Sequence, residues 1–199
     1  MTQTPSPASR PLRPRQALAL AACAALAGLF VGGPAAALAQ EPHPAVASAA
    51  NPLPEPDRQF VQDASVAGST EIDAAKLAMT RSDDRRVRSF ASHMVLDHTR
   101  LAAQLQVAVP TGVSAPIDNP DTALLNSIRD LKGAAFDQAY VSKLGLEGHR
   151  QALALFEQEA HGGQNERLRR LANEALPTIR EHLKMAQDLA RERGMPVGP

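Results

Sequence analysis

The chain has 199 residues, and its Lys+Arg and Asp+Glu counts are both 21, so the formal net charge is zero. The first 39 residues hold three arginines and no acid, which leaves 18 basic and 21 acidic residues, a net charge of −3, for the remainder. This balance provides no basic surface for nucleic acid. Aromatic residues make up 3% of the chain, whereas alanine and leucine are frequent, and this composition favours helices over strands.

The N-terminal 39 residues predict a secretory signal peptide. Three arginines precede the almost wholly apolar stretch 16–31, and small residues follow at 37–39. This order predicts cleavage after Ala39 and export to the periplasm, with the product soluble there or attached peripherally to the envelope. Two alternatives stay open. The residues before Cys23, the single cysteine, resemble a lipobox for lipid anchoring, and residues 16–39 are long enough for an uncleaved anchor.

Residues 40–56 predict an extended tether, because their five prolines lack the N–H group that a helix needs. The domain that follows is predicted over residues 57–194, with a short tail at 195–199. Apolar side chains recur in it at alternating spacings of four and three, the pattern of helices that bury one face. The predicted fold is all-α: an antiparallel four-helix bundle with an extra short helix before the third long helix. No segment after residue 39 is apolar enough to span a membrane.

The first two long helices are predicted over residues 57–79 and 83–107. Asp57 follows a proline and is the predicted cap of the first helix, and Ser82 is the predicted cap of the second. Both side chains can accept a hydrogen bond from the free backbone N–H groups of a first helical turn. The loop between the two helices is therefore expected to be short, which makes them antiparallel neighbours.

The short helix is predicted over residues 120–131, and the third long helix runs from Gly133 to about residue 160. Two glycines then end the third helix, and Asn165 is the predicted cap of the fourth. The fourth helix is expected to continue to about residue 194. Pro177 lies inside it and is expected to kink or restart it, because the proline ring clashes with the preceding turn.

One polar residue interrupts the apolar seam of each long helix, and these four residues are the predicted metal ligands: Glu71, His98, His149 and His182. A rise of ~1.5 Å per residue places the three histidines within about one and a half helical turns of one another. Imidazole and carboxylate are usual ligands of zinc, iron, copper and manganese, and bundles build metal sites from facing helices. The alternative is a buried hydrogen-bonded network that holds no metal.

Three acids beside the histidines are predicted either as further ligands or as hydrogen-bond acceptors that fix the imidazole tautomers: Asp97, Glu147 and Glu181. The Glu-x-x-His pairs of di-iron bundles are absent, since the residues three before the histidines are Val95, Leu146 and Ile179. Ferritin-type iron oxidation is therefore disfavoured. No nucleophile elbow or phosphate-binding loop is present, so no catalytic residue is predicted.

Four motifs in fixed order resemble an exported bacterial family. They are Met94-Val95-x-Asp97-His98, Leu131-x-Gly133-x-x-Phe136-Asp137-x-x-Tyr140, His149, and Leu176-Pro177-x-x-x-x-His182-x-x-x-Ala186. Together they are similar to the family called domain of unknown function 4142, over about residues 57–190. Its members are often labelled outer membrane proteins and are assigned a ferritin-like helical bundle. The resemblance implies this fold and an envelope location, and it implies no activity, substrate or cofactor.

Three functions of different classes follow. The favoured interpretation is a non-enzymatic envelope module, related to envelope stress, that binds a protein partner or a small ligand. It predicts an exposed apolar patch or groove, near residues 120–131. The alternative is a metal-binding or metal-dependent redox protein that holds iron, copper or zinc on the core histidines. The third is a structural envelope protein held by the tether. A transition metal is the one cofactor that the sequence suggests.

Overall fold

The computed structural model describes residues 53–198, and no strand occurs among them. The helices are α1 (Glu55–Arg81), α2 (Arg85–Ala108), α3 (Thr122–Arg129), α4 (Gly133–Tyr140), α5 (His149–Gly162) and α6 (Glu166–Glu192). A π-helical segment, Val141–Gly148, joins α4 to α5, so these three form one continuous helix. The all-α prediction is confirmed. The predicted signal peptide, Cys23 and the tether up to residue 52 lie outside the described residues.

Each of the four long helices packs against two of the others. α1 packs against α2 and α5, and α6 packs against α5 and α2. The short helices α3 and α4 lie against α1, and the π-helical segment lies against α6. In the described part of the chain, no helix combines the length and the apolar character needed to cross a membrane.

Side-chain caps define where two of the long helices begin. The Asp84 carboxylate accepts the backbone N–H groups of Arg86 and Val87, so Asp84 caps α2, and the predicted cap at Ser82 is wrong. Asn165 caps α6 as predicted, because its side-chain oxygen accepts the N–H groups of two residues in the first turn. Each cap satisfies donors that have no partner inside the helix.

Asp57 does not cap α1, contrary to the sequence prediction. The helix begins two residues earlier, at Glu55, because a proline is tolerated in a first turn, where no N–H donor is required. Asp57 is instead buried, and its carboxylate accepts the backbone N–H groups of Gln164 and Asn165 at 2.7 and 3.0 Å. This residue therefore fastens the first turn of α1 to the loop that precedes α6.

Glu159, near the end of α5, is buried in the same region. Burial, together with the charge of Asp57, raises its pKa to about 7. The folded protein therefore holds this proton more tightly than the unfolded chain, in which the pKa is about 4.5. The stabilising contribution is complete below about pH 4.5 and is lost as the pH rises through about 7.

Glu159→Gln is expected to become more stable relative to the wild type as the pH rises from 5 to 8, because glutamine keeps the shape and does not ionise. Urea unfolding of both proteins at the two pH values measures the difference between their free energies of unfolding. A difference that is the same at pH 5 and pH 8 would contradict the raised pKa of Glu159.

α6 continues through Pro177 without interruption, so the proline does not restart the helix. The ring of Pro177 lies on the exposed side of α6, while Leu176 and Ile179 on the other side are buried. Packing of this apolar face holds together a helix that would be weak at this point in isolation.

Two apolar clusters fill the interior at different heights. The first cluster joins the second half of α1 and the start of α2 to the π-helical segment and the end of α6; it includes Ala74, Phe90, Leu144 and Ala186. The second cluster joins the start of α1 and the end of α2 to α5 and the start of α6; it includes Phe60, Leu105, Phe156 and Ile179. α1 and α6 contribute their starts to the second cluster and their ends to the first, whereas α2 contributes its start to the first cluster and its end to the second.

A polar layer separates the two clusters. On every long helix, the polar residue of the seam falls between the residues of the first cluster and those of the second: Glu71, His98, His149 and His182. All four are buried. The fold thus brings the one interruption of each seam to a common height in the centre of the domain.

Candidate metal centre

Three histidines from three helices meet in the polar layer. His98 comes from α2, His149 from the first position of α5 and His182 from the middle of α6. Their ring centroids form a nearly equilateral triangle with sides of 5.6, 5.5 and 5.4 Å. One ring nitrogen from each histidine lies within 4.8 Å of the other two. A metal ion binds imidazole nitrogen at about 2.0–2.1 Å, so one ion would contact all three if the nitrogens approached one another by roughly 1 Å.

Hydrogen bonds fix the orientation of two of these rings. His149 Nδ1 lies 3.0 Å from the backbone oxygen of Leu144 in the π-helical segment, and His182 Nε2 lies 3.1 Å from Asp97 Oδ2. Each of these nitrogens carries the proton, because its partner only accepts. The other nitrogen of each ring then keeps its lone pair, as a metal ligand requires.

Three buried ring nitrogens have no hydrogen-bond partner within residues 53–198: His98 Nε2, His149 Nε2 and His182 Nδ1. Leaving a buried polar atom unsatisfied costs about 1–3 kcal/mol. Two of them, His149 Nε2 and His182 Nδ1, are acceptors and cannot pair with each other, so hydrogen bonds among the histidines alone would leave at least one unsatisfied. They remain without protein partners, and one shared ligand can satisfy all three.

The three imidazoles are held in their neutral form. Burial lowers the pKa of His149 to about 4. Burial also lowers the pKa of His98 well below its usual range, with a further contribution from the neighbouring histidines. The pKa of His182 is lowered too, again by burial, although Asp97 opposes the shift. Neutral imidazole is the form that binds metal, so no proton has to be displaced near pH 7.

Glu71, the fourth predicted ligand, comes from α1 and lies beside the triangle. Its Oε1 atom is 3.7 Å from His149 Nδ1, the nitrogen that faces Leu144, and Glu71 is not part of the group of three converging ligands. Its Oε2 atom is buried without a partner in the described part of the chain. Burial raises the pKa of this carboxyl to about 8.

The π-helical segment makes room for Glu71 and for α6. A Cβ atom on Gly148 would stand 2.8 Å from Glu71 Oε1, and one on Gly145 would stand 3.0 Å from the Cβ of Ala186. Both glycines therefore permit approaches that a side chain would block. The wider winding of a π-helix is frequent at functional sites, and here it immediately precedes His149.

The predicted auxiliary acids fall into two groups. Asp97 holds the ring of His182, on another helix, rather than that of its neighbour in sequence, His98. Glu147 is exposed and accepts from Gln151, so it does not contact a histidine ring. Glu181 is also exposed, and it makes no hydrogen bond to His182.

Two further polar groups that the sequence does not single out are buried, Tyr140 and Asp137. Tyr140 is fully buried, and neither its hydroxyl nor Asp137 Oδ1 has a hydrogen-bond partner among the described residues. Burial raises the pKa of Tyr140 well above its usual range, and the nearby Glu71 adds to the shift. Both lie in one of the motifs quoted above, but their spacing along the chain does not distinguish a buried position from a surface position.

Two openings lead from the surface toward the histidines. The α1–α5 cleft has a volume of about 380 Å³, and its lining includes Asp63, Glu71, His98, Asp121, His149 and Gln151. The α2–α6 opening has about 200 Å³, and its lining includes Asp97, His98, Arg100, Gln104, Glu174 and His182. His98 is reached from both sides. The centre is buried but accessible to a small solute.

A comparison with known protein families finds a match for this chain. The model of the family described as domain of unknown function (DUF4142) matches residues 42–189. The chain belongs to this family. The resemblance seen in the sequence is thereby confirmed, and the matched region contains the whole polar layer.

A solved structure shares the fold of this family member. It is a protein from Streptomyces coelicolor, assigned as secreted and as DUF305, with 20% identity and a TM-score of 0.59. The similarity covers 72% of this chain and 97% of the other. At this identity the similarity describes the fold alone. No curated protein matches the chain.

All three histidines are expected to be neutral at pH 7 in the metal-free protein, with His149 protonated at Nδ1 and His182 at Nε2. ¹⁵N NMR correlation spectra of the imidazole rings distinguish these tautomers. In a pH titration, His149 is expected to stay neutral down to about pH 4. Protonation of His149 near pH 6.5 would show that its ring is not desolvated.

Proposed function

We propose that this domain binds one transition-metal ion through His98, His149 and His182. The observation that carries the proposal is the set of three buried ring nitrogens that lie close together without protein partners. A single cation would satisfy all three at once, whereas a hydrogen-bonded network of three neutral imidazoles would leave acceptors unpaired. The fixed tautomers of two rings support the same role.

Copper and zinc fit this ligand set better than iron. Imidazole suits both metals, and Cu²⁺ stands highest in the general affinity order of divalent ions. Iron sites of the facial type combine two histidines with a carboxylate, but no carboxylate belongs to the converging group. Three protein ligands also leave a coordination position free, which is the arrangement of catalytic rather than structural zinc sites.

The proposed setting is the periplasm or the envelope surface. The signal-like N-terminal sequence supports export, and the structurally similar Streptomyces coelicolor protein is itself assigned as secreted. Binding of an envelope protein and a role in envelope stress remain predictions, because they rest on location. The small-ligand version of that prediction has a suitable place in the α1–α5 cleft, which α3 borders through Leu124.

The fold that supports this site is proposed to be an antiparallel four-helix bundle of ferritin-like type. The pairwise packing of α1, α2, α5 and α6 supports it. The loop between α1 and α2 has three residues, as does the loop between α5 and α6, and connections this short join antiparallel neighbours. In such bundles, metal sites are built in the core from facing helices.

Protein purified without a His tag is expected to bind about one copper or zinc ion per chain, because three imidazoles form one site. His149→Ala and His182→Ala are expected to lose it, since two imidazoles remain in each. Elemental analysis after loading measures the stoichiometry, and His161→Ala, at the exposed end of α5, is the control. Absence of bound metal in the wild type would refute the proposal.

Asp97→Ala is expected to weaken metal binding by about 10- to 100-fold, because the His182 ring loses the acceptor that orients it. Glu181→Ala is the matched control, since this acid adjoins His182 in sequence but is exposed. Competition with a chelator of known affinity measures both dissociation constants. Equal losses in the two variants would indicate a general charge effect instead of orientation through Asp97.

A further inference from the structure

We propose that the α1–α5 cleft is the route by which a divalent cation reaches the three histidines, with Glu71 as the last carboxyl group that it meets. This role rests on the proposed function, and it specifies the side of the domain from which the metal arrives. The α2–α6 opening is the alternative side. It also reaches two of the proposed ligands, His98 and His182, and the two openings differ in the charge of their lining.

The cleft connects exposed acids to buried ligands. Asp63 on α1 and Asp121 at the start of α3 line it and are exposed. His98 and His149 line it as well, and their exposed fractions are 6% and 1%. Both histidines carry one of the ring nitrogens that have no partner in the described structure. A cation that follows the cleft inward therefore ends at two of the three proposed ligands.

The charge at the mouth of the cleft favours a cation. Two exposed acids, Asp63 and Asp121, line the cleft, and neither lysine nor arginine does, while the buried carboxyl group of Glu71 is uncharged near pH 7. Clefts lined by charge of one sign concentrate ions of the opposite sign and raise association rates. The α2–α6 opening has mixed charge, because Arg100 lies there with Asp97 and Glu174.

Glu71 lines the cleft together with the exposed acids at its mouth and the buried histidines. Its Oε2 atom is buried without a partner within residues 53–198. Its Oε1 atom lies 3.7 Å from His149, and the missing side chain of Gly148 leaves space for it. An oxygen of this carboxyl group can take the place of a water molecule that a hydrated cation loses before the imidazole nitrogens bind it.

The test compares two exposed glutamines, one in each opening. Gln151→Trp places a bulky ring in the α1–α5 cleft, and Gln104→Trp places the same ring in the α2–α6 opening. Stopped-flow mixing of Cu²⁺ with the metal-free protein, and chelator-driven release, give the association and dissociation rates. Gln151→Trp is expected to lower both rates about tenfold and to leave the dissociation constant within about twofold, because a route is used in both directions. Gln104→Trp is expected to change neither rate.

A second measurement addresses the charges. The double variant Asp63→Asn with Asp121→Asn is expected to associate several-fold more slowly at low salt and to depend less on ionic strength, since steering is screened by salt. Asp121 caps α3 by accepting the backbone N–H of Leu124, and asparagine caps a helix as well as aspartate does, so α3 is retained. Glu174→Gln, at the other opening, is the matched control and is expected to keep the wild-type rate.

The outcomes separate the route from the site. Slower exchange in Gln104→Trp alone, or in neither tryptophan variant, would overturn the route while histidine-dependent binding persists. An unchanged association rate in the double variant would overturn the role of Asp63 and Asp121. A protein that binds no Cu²⁺ at all would overturn both the route and the proposed function.

Discussion

The free-energy cost of burying polar atoms governs the centre of this domain. The three imidazoles and the carboxyl group that meet at one height are buried, so each must be neutral, hydrogen-bonded or bound to a ligand. Two rings are pinned by one hydrogen bond each, which leaves the opposite nitrogen of each ring pointing away from its partner. The fold therefore decides the orientation of these two rings, as the proposed metal site requires.

Close packing of the helices allows the three histidine rings to meet. Imidazole rings reach one another only if their helices are close, and small residues permit such closeness: Ala74, Ala75 and Ala78 on α1, Ala91 on α2, and Ala186 and Ala190 on α6 are all buried. The larger side chains, such as Phe90 and Phe156, are set above and below the polar layer. Edge-to-face packing of Phe60 on Phe156, with ring centroids 5.1 Å apart, consolidates the second cluster. Two apolar clusters thus hold a polar plane between them.

The sequence was sufficient for what depends on periodicity along one helix. The spacing of apolar residues identified the helices and singled out Glu71, His98, His149 and His182 as the polar interruptions, and a rise of ~1.5 Å per residue placed the three histidines at similar heights. It was insufficient where a contact spans distant segments. Asp57 has the signature of a helix cap, yet its partners lie more than 100 residues away.

Proximity in sequence misled in a similar way near the centre. Asp97 was selected because it precedes His98, but its side chain leaves α2 on the side of α6 and accepts from His182. Nothing in the local pattern distinguishes Asp97 from Glu147 or Glu181, which face solvent. The π-helical segment also has no local signature, since Gly145 and Gly148 are required by the neighbours they approach rather than by their own helix.

Because of the π-helical segment, the continuous helix from Gly133 to Gly162 depends on the number of residues it contains. An α-helix turns by about 100° per residue, whereas each π turn contains an additional residue, so the segment rotates α5 relative to α4. Phe136 and Tyr140 face inward before it, and His149 faces inward after it. A chain shorter by one residue between them would have to rewind the segment toward α-helical geometry or turn one of these faces away from the interior. In this stretch the number of residues is therefore constrained as well as the identity of the two glycines.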